Sequence, residues 1–353
     1  MTVPPPMPPP TLPPAEPLLA IEDLRVQFRT DQGVVKAVDG VTFSVWPDEV
    51  LGIVGESGSG KTVTALSVLG LLPPTARVTG TVSFKGRDML AAPASDLRAV
   101  RGGGIAVIFQ DALAALNPLH RVGKQVAEAI RIHQPDVSRS EADRRAVELL
   151  GMVGIPSPTE RAHQFPHEFS GGMRQRVMIA MAMANDPEVL IADEPTTALD
   201  VTTQAQVLEL LQDVHRRTHS ALILITHDVG VVAGVADRVV VMYAGKAVES
   251  GTVEQVLLEP AHPYTRGLLA SMPRLEQEGG QLTRIGGQPP SLIDVPSGCA
   301  FHPRCASAAL PEPCATAAPE FRPVCGVATH WAACHFAEQL LEVGAGSGGS
   351  SPA

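Results

Sequence analysis

The sequence predicts an α/β fold: a mixed β-sheet with flanking helices, a helical subdomain inserted into it, and a small C-terminal extension. Three observations lead there. The runs "VLGIV" (50–54), "GIAVIF" (104–109), "VLIAD" (189–193), "ALILIT" (221–226) and "RVVVM" (238–242) are apolar without alternation, the pattern of strands buried on both faces. Helical stretches separate most of them, which favours parallel neighbours. Between Gln110 and Ser170 strand patterning stops and helical spacing replaces it.

Taken in order, residues 1–18, "MTVPPPMPPPTLPPAEP" and the next residue, have neither a positive n-region nor an apolar core. They read as a disordered Pro-rich leader and not as a secretory signal. Residues 19–258 form the core domain. Within it "TVSFKG" (81–86) and "GKAVESG" (245–251) read as antiparallel or edge strands. The helical subdomain spans 111–169. There "LHRVGKQVAEAIRIH" places Leu119, Val122, Val126 and Ile130 on one helical face, and Ser140, followed by Asp143, reads as the cap of the next helix. From 259 the composition shifts to Pro, Gly, Ala and Cys. That marks a smaller unit over 259–340, followed by a flexible tail, 341–353.

The formal net charge of −10 and the lack of a long Lys/Arg run argue against nucleic acid as a partner. No run of ~18 apolar residues occurs, so no segment crosses a bilayer unaided. The five cysteines stand at 299, 305, 314, 325 and 334, and without an export signal a disulfide framework is a poor reading. Tight zinc-type pairs are absent. From spacing alone a metal site and scattered reduced thiols both stay open.

The stretch "GESGSGKT" (55–62) follows one strand and opens a helix, the context of a phosphate-binding loop. Gly55, Gly58 and Gly60 let the backbone amides, those of Ser57 and Ser59 included, point at phosphate oxygens. Lys61 supplies a cation and Thr62 a hydroxyl for Mg²⁺. Asp193 ends the strand "VLIAD", where it can hold Mg²⁺, and Glu194 next to it can polarise an attacking water. Gln110 and His227 also end predicted parallel strands, where open α/β sheets bind ligands. Gln110 is placed to sense Mg²⁺ or the water, and His227 to reach a γ-phosphate. Phe28 could stack on a base, though a Phe at strand spacing is also ordinary core.

"FSGGMRQRVMIAMAMA" (169–184) puts Ser170, Gly171 and Gly172 at the start of a second helix, another anion-binding terminus. One triphosphate does not need two cradles. Its use is in trans, each of two chains clamping the nucleotide held by the other.

Together these motifs resemble the ATP-binding subunit of an ABC transporter, over about residues 19–340. Residues 55–62 match its Walker A loop, Gln110 its Q-loop, 170–173 its signature, 189–194 its Walker B, Ala198-Leu199-Asp200 its D-loop, His227 its switch histidine and Phe28 its adenine-stacking aromatic. "HPYTRGLLASMPR" (262–274) and "GGQPPSL…PSGCAFHPRC" (286–305) resemble the D-type ATPases of dipeptide/oligopeptide importers. The resemblance implies ATP and Mg²⁺ as ligands and an ATP sandwich with an F-type ATPase subunit, in which Ser170, Gly171, Gly172 and Asp200 act on the partner's nucleotide. It implies two membrane permease subunits, an extracytoplasmic solute-binding protein met indirectly, and a peripheral place on the cytoplasmic face of the membrane. Met173 stands where most ABC families have Gln, so the two composite sites need not be equivalent. It further implies a [4Fe–4S] cluster on Cys299, Cys305, Cys314 and Cys334, with Cys325 spare, stapling the C-terminal unit far from the phosphates. Importers of other small solutes (nickel complexes, glutathione), a soluble ABC ATPase of DNA repair or translation, and a redox-sensing ATPase are the competing readings.

Overall fold

A computed structural model of the chain describes residues 16–197, 199–272 and 285–346. Most of the Pro-rich leader, Ala198 and the last residues of the tail lie outside these. The strands are β1 (Leu19–Thr30), β2 (Gly33–Val45), β3 (Val50–Val54), β4 (Ala76–Phe84), β5 (Arg87–Asp88), β6 (Ile105–Ile108), β7 (Val189–Asp193), β8 (Ala221–Thr226), β9 (Arg238–Tyr243), β10 (Lys246–Thr252), β11 (Arg322–Val324) and β12 (Val327–Ala332).

They form two sheets. One is antiparallel, in the order β2-β1-β4-β5. The other has the order β11-β12-β10-β9-β3-β8-β7-β6. Its strands β9 to β6 run parallel, and β10, β12 and β11 continue it in antiparallel pairing. The apolar runs need no alternation because each face has its own cover. Leu51 and Ile53, Val189 and Ile191, and Ala221, Ile223 and Ile225 pack toward the antiparallel sheet with Ile21, Val26 and Val82. Val50, Leu190, Ala192, Leu222 and Leu224 face the other way, among Val177, Ile179, Leu211 and Val214.

The insertion is helical, as its spacing predicts, with helices Val122–His133 and Arg139–Met152 as its main pieces. Val122, Val126 and Ile130 are fully buried, but Leu119 is 83 % exposed. It precedes the helix, which starts only at Val122, so it does not share that face. The cap of the next helix is Ser138, not Ser140: the Ser138 hydroxyl accepts from the Glu141 amide at 3.2 Å. Two serines in "SRS" satisfy the same pattern, and only the entry direction of the chain chooses between them.

The C-terminal segment does not stand apart from the core. Its strands β11 and β12 add to the main sheet, with Glu249 opposite Ala332 and Ser250 opposite Trp331. The segment read as tail from 341 begins inside a helix, Ala337–Gly346. Among the described residues no helix is long and apolar enough to cross a membrane.

Candidate nucleotide site

Parallel pairing lines up the strand ends. Val54 pairs with Thr226, Asp193 with Ile225, and Ile108 with Ala192. The residues just beyond these ends are the loop from Gly55, His227, Glu194 and, after Phe109, Gln110. They meet at one cavity of about 750 Å³, whose walls include Ser57, Gly58, Gly60, Lys61, Thr62, Gln110, Glu194 and His227.

The loop is shaped for close approach. Gly60, which precedes helix Lys61–Val68, has φ +101°, and a Cβ there would lie 2.4 Å from the Ala37 carbonyl oxygen. Any other residue would push the loop off β2. The Lys61 ammonium is buried and donates to the Gly55 and Glu56 carbonyls at 2.8 and 3.0 Å. Burial pulls it below the ordinary lysine value, opposed by the charges of Glu194, Asp193 and Glu56. A buried cation resting on carbonyls is suited to exchange them for phosphate oxygens. Ser59 Oγ is buried and has no partner.

Asp193 is buried behind the cavity and accepts from the Thr62 hydroxyl at 3.1 Å. Burial pushes its carboxyl above the usual carboxylate range, with Glu194 adding to that, while the Thr62 bond and Lys61 pull it down. Two oxygen donors side by side, one a desolvated carboxylate, suit a hard divalent cation such as Mg²⁺.

Glu194 is the convergence point. Gln110 Nε2 donates to it at 3.1 Å and the Thr197 hydroxyl at 2.9 Å. His227 Nδ1 lies 3.5 Å away and Lys61 Nζ 3.9 Å. Its φ of +45° is left-handed. That turn costs a non-glycine residue roughly 1–2 kcal/mol, and it swings the carboxylate from the strand line toward the cavity.

Other expected site residues are elsewhere. Phe28 does not line the cavity; it packs at the margin of the core around β1 and β4. The apolar wall comes instead from Ala37, Leu268, Ile285 and Leu292. Ser170, Gly171, Gly172 and Asp200 do not line the cavity of their own chain. Ser170 is exposed and caps helix Gly171–Ala182 through the Met173 amide at 3.3 Å. A Cβ on Gly172 would sit 2.4 Å from Thr203 Cγ2, so close helix packing requires that glycine. Asp200 caps helix Val201–Thr218, accepting from the Thr203 amide and hydroxyl at 3.0 and 2.7 Å. Those bonds hold its carboxyl below the usual range.

Cys299, Cys305, Cys314 and Cys334 line one small cavity, while Cys325 is exposed and does not line it. Among the described residues, no group of three or more His, Cys, Asp or Glu is set to hold a metal ion. Burial pushes the thiols of Cys299 and Cys305 up and that of Cys334 up to about 11. The segment that carries these cysteines also reaches the phosphate loop through one long side chain. Arg304, next to Cys305, is ion-paired with Glu56 of the loop at 2.7 Å. Residues missed from sequence are Thr197, Glu56, Arg304 and the wall residues Leu268, Ser271, Ile285 and Leu292. "GESGSGKT" and "HPRC" contained two of them without showing that they meet.

The family model described as ABC transporter matches residues 38–197, and the one described as oligopeptide/dipeptide transporter, C-terminal region, matches 248–311. The chain is 52% identical over 292 residues to the dipeptide transport ATP-binding protein DppD of Bacillus subtilis (strain 168), covering 82% of this chain and 87% of that protein. It is 49% identical over 311 residues to the oligopeptide transport ATP-binding protein OppD of Escherichia coli (strain K12), covering 88% and 91%. A solved dimeric structure of the ATP-binding cassette MJ0796, in a post-hydrolysis state bound to ADP and Pi, is similar with a TM-score of 0.60 at 26% identity, over 67% of this chain and 98% of that one.

Proposed function

The chain belongs to the ATP-binding subunits of ABC transporters, and from that premise we propose that it binds and hydrolyses ATP to drive a membrane importer of dipeptides or oligopeptides. The observation that carries this is the convergence of Lys61, Thr62, Gln110, Glu194 and His227 on one cavity, with Asp193 behind it.

In this reading the loop amides and Lys61 bind the phosphates. Thr62 and Asp193 hold Mg²⁺, which neutralises phosphate charge when bound. Glu194 orients a water and takes up its proton, while Gln110, Thr197 and His227 fix the carboxylate. Ser170, Gly171, Gly172 and Asp200 are the contribution in trans, which is supported by their absence from their own chain's cavity. The partner is an F-type ATPase subunit. ATP draws the two together only as far as it favours the closed state over the open one.

An apolar groove of about 270 Å³, lined by Leu71, Phe109, Leu116, Met178 and Met181 among others, joins the end of β6 to the signature helix. It is the docking place for one of two permease subunits, at the cytoplasmic face of the membrane. The solute-binding protein selects cargo without touching this chain. For the cysteine cavity the reading is a [4Fe–4S] cluster on Cys299, Cys305, Cys314 and Cys334. Its support is that these four residues border one small cavity while Cys325 stays outside it. When bound it would cross-link loop positions that are poor in regular structure. Iron and labile-sulfide analysis of anaerobically purified protein tests this. Protein with neither, but with a protease-resistant C-terminal segment, overturns it.

The main reading is tested by ATP-dependent uptake of a labelled dipeptide into proteoliposomes. These carry this chain, its partner ATPase and the two permeases, with binding protein added. Ser170→Arg should leave ATP binding by the isolated chain intact while abolishing uptake. Equal loss of binding in the isolated chain would contradict the trans assignment. Uptake unchanged by Lys61→Ala would overturn the ATP-site reading itself.

A further inference from the structure

Glu56 is the second residue of the phosphate loop, and it lines the cavity. A carboxylate there opposes a triphosphate, because like charges in a partly desolvated site repel strongly. The C-terminal segment supplies the remedy. Arg304 Nη1 lies 2.7 Å from Glu56 Oε2, and Nη2 lies 2.9 Å from Oε1, a two-pronged pair. The Arg304 side chain is only 6 % exposed. Its Nε donates to the Gly286 carbonyl at 2.9 Å and its Nη1 to the Tyr243 hydroxyl at 3.3 Å. The guanidinium also lies 5.7 Å from the Tyr243 ring centroid and 6.0 Å from that of Phe301.

The backbone of Glu56 is held as well. Its amide donates to the Tyr264 hydroxyl at 2.8 Å, and its carbonyl accepts from Lys61 at 3.0 Å. Tyr264 belongs to helix Pro263–Ala270, and Arg304 ends the short turn His302–Arg304. Two elements far along the chain therefore fasten the same loop residue, one by its side chain and one by its backbone.

We propose that Arg304 is a positioning residue of the nucleotide site. It cancels the Glu56 charge before phosphate arrives and pins the loop in its phosphate-ready shape. Through it the C-terminal segment becomes part of the ATP site. The inference rests on reading this cavity as the ATP site. A planar fork held on both prongs is specific to arginine, and a lysine ammonium cannot reproduce it.

The test measures affinity for a fluorescent ATP analogue with Mg²⁺ on the full chain, together with KM and kcat in the assembled transporter. Arg304→Ala should weaken affinity by about tenfold or more, as loss of a charged partner next to a phosphate site does. The loss should appear in KM more than in kcat. Arg304→Lys should recover only part of it. Glu56→Gln, which leaves an extra positive charge beside the loop, should keep affinity within about threefold or raise it. The double variant Arg304→Ala/Glu56→Gln should return to within about threefold of the unaltered chain, because no unpaired carboxylate is left. A merely structural Arg304 would leave the double variant as weak as Arg304→Ala, and that result overturns the proposal. So does normal affinity in Arg304→Ala. If Arg304→Ala does not fold, the double variant decides: tight binding supports the charge role, weak binding ends it. Lys61→Ala separates the two readings, since binding that survives it would sink the site assignment itself.

Discussion

Glu194 shows how much one residue carries. It directly follows a buried strand, turns left-handed, and gathers Gln110, Thr197, His227 and Lys61 around one carboxylate. Glu194→Gln keeps the shape and removes the base. It should still bind ATP, while turnover falls by ~10²–10⁴. The measurement is ATPase activity in a complex whose other site is disabled, and near-normal turnover there would remove Glu194 from the catalytic role. Sequence made Glu194 legible because "VLIADE" ends an apolar strand in two acids. Thr197 was not legible, since nothing in "PTT" tells which hydroxyl folds back. Whether Phe28 lines the cavity was not legible either, for a related reason. An aromatic at strand spacing has two possible environments, and side-chain packing decides between them.

Helix Pro263–Ala270 carries a prediction at the scale of an element. Its cap, His262, is completely buried and accepts from the Tyr264 amide at 3.1 Å. Burial lowers its pKa from 6.5 to about 3. The unfolded chain takes up a proton near pH 6.5 that the folded chain refuses until about pH 3. Stability from this group is therefore complete above pH 6.5 and is lost as pH falls toward 3, with a slope of at most about 1.4 kcal/mol per pH unit. His262→Asn keeps a capping acceptor and cannot titrate. Denaturant melts between pH 7 and pH 4 should show a shallower loss for this variant, and identical slopes would refute the assignment.

The whole molecule depends on strands from its far end. Glu249 of β10 is fully buried, with His330 Nε2 at 2.9 Å from one oxygen and the Ala261 and His262 amides at 2.7 and 3.0 Å. A chain ending at Met272 would lose β11, β12, His330 and Arg304. It would bare the β10 edge and weaken the satisfaction of a buried carboxylate. Such a truncation should melt about 10 °C lower, from roughly 3–5 kcal/mol lost at 2–4 °C each. A melting temperature within about 2 °C of the full chain would show that β11 and β12 are ornamental.

What the sequence determined by itself is local. Apolar runs set the strands, helical spacing set the insertion, and the residues at strand ends named the candidate site. Parallel pairing then needed only to be in register for Lys61, Gln110, Glu194 and His227 to meet. Tertiary structure alone decided the rest. It added the C-terminal strands to the main sheet, excluded Phe28 from the cavity, and brought Arg304 and Tyr264 onto Glu56 across separations of 248 and 208 residues. A chain's local pattern encodes the state of its own backbone. Which distant charge it will meet depends on how whole elements pack, and no spacing within "HPRC" or "GESGSGKT" records that.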